Sequence, residues 1–217
     1  MRIRLHHHGR FRRWLGHALG GDEELGDRAW RRILHLFGGL VLVYYALPTD
    51  FFVIAPKADI LLAAFAALLV LEALRHTAGL ELPTIRPYES HRIASFVFFA
   101  LALVLAVLLL PLPIGAAVVL GTSIVDPVAG ELRRQSASPI LTVGIPLGAY
   151  GLLAFVGLAA IGGWPAGPSA LLAVVAAPLA VAAERPKWPW VDDDLVMTFV
   201  PGLFLYAAGV LAFGLPG

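Results

Sequence analysis

Seven apolar runs, joined by connections that alternate between polar and nearly uncharged, leave this chain few folds to choose from. They cover residues 33–47, 58–76, 93–110, 114–132, 140–162, 168–183 and 195–214. Most approach the roughly 20 residues that a helix needs to cross the hydrocarbon of a bilayer. Backbone in lipid must satisfy its polar groups internally, which for runs of this length means helices. The expected fold is all-α: a polytopic transmembrane helix bundle of about seven spans. Charge content agrees, since 14% of the 217 residues are charged and 59% are hydrophobic, whereas soluble domains carry about a quarter charged residues.

The connections predict a sidedness. Residues 1–32, Arg75 to Arg92, Glu131 to Ser138 and Glu184 to Asp194 are polar, and each carries arginine or lysine. Pro48 to Lys57, Leu110 to Pro113 and Gly162 to Gly167 have Lys57 as their single basic residue. The first segment alone holds eight arginines. By the positive-inside rule the N-terminus and the polar connections are cytoplasmic. The expected organisation is a basic cytoplasmic arm, residues 1–30, followed by a membrane domain, residues 31–217. The arm lacks the apolar core of a cleavable signal, and residues 10–20 suit a basic amphipathic helix on anionic lipid. Trp30, Trp188 and Trp190 at one interface and Trp164 at the other are placed as aromatic anchors.

Chemistry in such a bundle is sought first at ionisable residues in or beside the spans. There is no cysteine, which excludes disulfides, iron–sulfur clusters and thiolate zinc sites. The run His6 to His8, with His17, is read as a solvated tail rather than a metal site. No Gly-x-x-x-x-Gly-Lys-Ser/Thr or Gly-x-Gly-x-x-Gly loop is present, so a P-loop or kinase-type nucleotide cradle is not expected, and nothing points to nucleic acid.

Four clusters stand out at the polar ends of the spans. Arg31, Arg32 and His35 precede Gly38 and Gly39; Arg31 and His35 share a helix face, which suits a polyanion or simply holds the helix end at the interface. Glu72 pairs in register with Arg75 or His76, either as a site or as a structural intrahelical pair. Asp126 precedes Pro127, with Thr122 and Ser123 close by. Proline disfavours helix at the preceding residue, so an interrupted helix lining a polar cavity is expected, with Asp126 as a magnesium ligand or as a partner of Arg133 or Arg134. Asp192, Asp193 and Asp194 open the last span; one suffices as a cap, and three adjacent carboxylates suit a cation. Arg31, Arg75, Arg133, Arg134 and Lys187 are candidate phosphate contacts. His35, Glu72 and Asp126 are candidate catalytic groups. Cations for phosphates with carboxylates for magnesium are the equipment of phosphoryl chemistry.

At these residues the chain resembles the family of membrane lipid kinases and cytidylyltransferases that includes dolichol kinase, phytol kinase and phosphatidate cytidylyltransferase. The resemblance runs from about Arg31 to Pro201. It rests on Arg31, Arg32, His35 and Gly38; on Glu72 and Arg75; on Asp126, Ala129 and Gly130; and on Glu184, Asp192 to Asp194 and Pro201. It implies a multi-pass cell-membrane enzyme that uses CTP and Mg2+ at the cytoplasmic face to phosphorylate an isoprenoid alcohol, with a cytidylyltransferase as the next reading. A homodimer is compatible with it. The stretch from Ser136 to Pro146 lacks the lysine and glutamate that the kinase branch carries there. A small transporter with helices broken at Pro127, Pro146, Pro178 and Pro201, or a non-catalytic relative, is the contrasting reading.

Overall fold

Apolar runs bounded by proline, glycine and charged residues become seven helical rods in the computed structural model, which describes residues 23–49, 55–79, 85, 89, 91–135, 138–184 and 190–215. The first rod, α1, spans Glu23–Gly38 and continues through a 3-10 turn, Gly39–Leu42, to Val43–Ala46. Then come α2 (Lys57–Ala78), α3 (Ser95–Leu109), α4 (Leu112–Arg134), α5 (Pro139–Phe155), α6 (Ala166–Ala183) and α7 (Asp193–Leu205). Wider π turns, Val156–Ile161 and Tyr206–Ala212, prolong α5 and α7. No strand occurs among the described residues.

Four of these rods are long and apolar enough to cross a membrane: Leu112–Arg134, Pro139–Ile161, Ala166–Ala183 and Asp193–Ala212. α3 is equally apolar but shorter, at 15 residues, or about 22 Å at 1.5 Å per residue. Local chemistry sets the ends. Proline stands at the start of α4 and of α5, and Ser138 Oγ accepts from the amide of Leu141 at 3.4 Å. Gly79, at φ 63°, ends α2 in the left-handed conformation that glycine adopts freely.

The prolines inside helices do not break them. α4 runs unbroken through Pro127, and α5, α6 and α7 run through Pro146, Pro178 and Pro201. The interruption expected at Asp126-Pro127 is therefore not formed. A proline removes one intrahelical hydrogen bond, and α4 is held on both sides of that point by packing against α1, α3, α5 and α7. Its buried side chains, from Ile114 to Ala129, are the centre of the core. Gly157 shows how close that packing is: a Cβ there would lie 2.5 Å from the backbone nitrogen of Ala117.

Lys57, the lone basic residue among the uncharged connections, closes a helix end. Its ammonium donates to the carbonyls of Tyr44 (2.9 Å) and Leu47 (2.6 Å) and lies 4.6 Å from the Tyr44 ring centre. Tyr45 donates to the carbonyls of Ala106 and Leu110, which ties the ends of α1 and α3 together. Trp164, expected as an interfacial anchor, is 2% exposed and packs on Gly209 instead. Its hairpin folds back onto α7, which leaves the ring no lipid to meet. Trp190 is 82% exposed, as an anchor would be.

Candidate functional site

Because α1 and α3 are tied at their Tyr45 end, their other ends do not match. His35 lies beside Phe99, with ring centres 4.3 Å apart. Beyond that level α1 continues to Glu23, whereas α3 begins at Ser95. The overhang leaves a cavity of about 250 Å³ between α1, α3, the last turns of α4 and the first turn of α7. Gly38 brings the pair together, since a Cβ there would lie 2.4 Å from Phe99 Cζ; a Cβ at Gly39 would meet nothing within 4 Å.

His35, Asp126 and Asp194 converge from α1, α4 and α7. The imidazole Nδ1 lies 3.0 Å from the Arg31 carbonyl, and Nε2 lies 3.6 Å from Asp126 Oδ2 and 3.5 Å from Asp194 Oδ1. Nδ1 therefore carries the proton for the Arg31 carbonyl, and Nε2 is presented to the two carboxylates. Nε2 is buried without a hydrogen bond. One turn deeper, Thr122 and Thr198 set the register of α4 against α7. Thr198 donates to the Asp194 carbonyl at 2.8 Å, so across their 2.9 Å contact Thr122 is the donor. Each threonine is four residues from its aspartate, which places Asp126 and Asp194 on facing sides of the same gap.

Two donor groups share Asp126. One is His35, Asp126 and Asp194; the other is Asp126, Glu184 and Asp193, and in each the ligand atoms lie within 4.8 Å of one another. The second, all oxygen, fits a hard cation such as magnesium; the first, with an imidazole, fits manganese or zinc as well. Asp192, also expected as a ligand, lines the same cavity but stands in neither of these groups. It caps α7 through the amide of Asp194 and faces Arg92 at 3.4 Å.

Arginines ring the same cavity. Arg31, Arg32, Arg133 and Arg134 line it. Arg32 pairs with Glu131 across α1 and α4, Arg133 pairs with the buried Glu184, and Arg134 reaches Glu131 at 3.2 Å. Leu34, Phe96 and Phe99 supply an apolar wall on the α1–α3 side. Glu72 and Arg75 are not part of the lining; they form a buried bidentate pair, at 2.8 and 2.6 Å. Lys187, Trp188, His6 to His8, His17 and the 10–20 segment lie outside the described residues. Glu89 is a lining residue that sequence reasoning passed over, 1% exposed in the connection before α3. A lone acidic residue in a polar connection carries no pattern that marks it.

Burial, then the hydrogen bond with Asp193 and the charges of Asp194 and Asp193, push the Asp192 carboxyl up to about 7. An unfolded aspartate titrates near 3.9. Between those values the folded state holds the extra proton, so stability falls as pH rises through this window and levels above it. Asp192→Asn is expected to raise the melting temperature at pH 8 and to leave it nearly unchanged at pH 4, as thermal scans in detergent will show.

Comparisons of the chain with family models, with curated proteins and with solved structures find no match.

Proposed function

We propose that this chain is a metal-dependent lipid phosphotransferase that moves a phosphoryl group from a nucleoside triphosphate, CTP before ATP, to an isoprenoid alcohol at the cytoplasmic face of a cell membrane. One observation carries the reading: His35, Asp126 and Asp194 converge from three helices in a cavity rimmed by arginines and walled on one side by Leu34, Phe96 and Phe99. Carboxylates beside cations suit a metal-bound polyphosphate, and the apolar wall suits the chain of a lipid whose hydroxyl reaches the same point. The resemblance of Arg31 to Gly38 and of Asp126 to Gly130 to the lipid kinases and cytidylyltransferases adds to it.

Asp126, Glu184 and Asp193 would hold magnesium, which would supply charge neutralisation on the phosphates. Arg31 and Arg134 supply positive charge at the rim. His35, its Nδ1 engaged by the Arg31 carbonyl, turns Nε2 to Asp126 and Asp194, and this imidazole–carboxylate cluster is where the proton of the lipid hydroxyl would be taken up. Unbroken helices through all four interior prolines favour this enzyme over a transporter. The assay is transfer of labelled phosphate to a panel of prenyl alcohols with magnesium. Loss of transfer in excess chelator is expected; undiminished transfer in chelator would refute the metal role.

The same reading has seven crossings, the N-terminus inside. As the sequence has no cysteine, single cysteines report sidedness cleanly. Gln135→Cys is expected to react with an impermeant maleimide only in opened cells, and Ala166→Cys in intact ones. The reverse would invert the topology.

A further inference from the structure

Among the described residues of α2, only Glu72 and Arg75 are buried. The remainder of this 22-residue helix turns side chains such as Leu62, Leu69, Val70 and Leu74 outward, and its main packing partner is α3. A helix that buries two charges and little else is not placed there for its core packing.

The pair does more than neutralise itself. Arg75 Nε and Nη2 hold the Glu72 carboxylate. Its Nη1 also donates to the carbonyl of Glu89 (3.2 Å), and Nη2 to that of Arg92 (2.6 Å). Glu72 Oε1 accepts from the amide of Ala94 at 3.0 Å. Three backbone groups of one connection are thus held by two side chains of another helix. That connection delivers Glu89 and Ser95 to the cavity wall, and its Arg92 faces Asp192 at 3.4 Å.

We propose that Glu72 and Arg75 form a positioning clamp: they fix Glu89 and residues 91–95 as one wall of the ligand cavity and, through Arg92, hold the Asp192 end of α7 in place. Neither residue meets the ligand. An ion pair alone would need none of the three backbone bonds, whereas a clamp needs all of them. Buried charged hydrogen bonds of this kind are costly to leave unmade, which gives the three backbone groups they hold one arrangement.

The clamp is read without any ligand. In full-length protein in detergent, Ser95→Cys as the single cysteine reports how open the wall is to a polar maleimide. With the clamp intact, labelling is expected to be slow; Glu72→Gln or Arg75→Lys is expected to speed it about tenfold by letting the connection open locally. The exchanged pair, Glu72→Arg with Arg75→Glu, keeps the opposite charges but removes the guanidinium from the two carbonyls. It is expected to recover only part of the melting temperature, since the backbone bonds stay unmade, while labelling stays fast. Unchanged labelling in Arg75→Lys would overturn the proposal, as would an exchanged pair that restores slow labelling. Should the exchanged pair not fold, the two single variants still decide it.

A second readout rests on the function proposed above: Arg75→Lys should weaken magnesium–CTP binding about tenfold, acting through the cavity wall. If the wild type binds no nucleotide, that functional reading fails, while the labelling rates still decide the clamp.

Discussion

Asp126→Asn is expected to lower phosphate transfer on the order of a thousand-fold while the protein keeps its fold. Asp126 is the one residue common to both donor groups, so its charge serves whichever of them holds the cation. Asparagine retains the shape and one oxygen but not the charge. Stability should hold or rise, because the carboxylate faces one imidazole partner, His35, and shares one donor group with Asp194 and the other with Glu184 and Asp193. Like charges so close repel, and removing one relieves the others. Transfer assays beside melting curves separate the two effects. A variant that retains transfer would remove Asp126 from the mechanism; one that fails to fold would make it a structural residue.

Glu72→Ala carries the largest expected loss of stability. It leaves the Arg75 guanidinium buried, with carbonyls but no counter-charge, and leaves the amide of Ala94 without its acceptor. Breaking one partner of a buried pair costs about 3–5 kcal/mol. For a chain of this size that corresponds to a fall of about 6–20 °C in melting temperature. His76 Nε2, 3.3 Å from Glu72 in the folded protein, cannot substitute, being cationic or neutral itself. Scanning calorimetry or a tryptophan-fluorescence melt measures the shift. A change of less than about 1 kcal/mol, the range of an exposed pair, would show that the site is solvated.

Much of this fold was legible in the residues. Apolar runs at 58–76 and 140–162 became helices Lys57–Ala78 and Pro139–Ile161, because run length and flanking proline or glycine act locally. α1 was read short: its first turns, from Glu23, carry charges that hide a helix from a search for apolar runs. Pro127 misled for a related reason. The preference of the residue before a proline is local and weak, while the hold of four neighbouring helices on α4 is not.

The site was legible in its parts but not in its grouping. His35, Asp126, Asp193 and Asp194 were visible as ionisable residues at span ends, and all of them line one cavity. That Asp193 and Asp194 would face different donor groups follows from the 100° step between neighbours on a helix, which needs the helix start to be known. Glu72 and Arg75 looked like site residues because buried charge looks alike in a clamp and in a catalytic group. The carbonyls of Glu89 and Arg92 and the amide of Ala94 distinguish them, and backbone contacts leave no trace in sequence.

The most direct test of the central claim uses CTP labelled separately at its α- and γ-phosphates, supplied with magnesium and a prenyl alcohol or a phospholipid acid. A phosphotransferase places the γ label, and none of the α label, in the extracted lipid, and only with the alcohol. Incorporation of the α label instead would make the chain a CDP-lipid-forming enzyme, and absence of both labels from the lipid, with the protein folded, would contradict catalysis at this cavity.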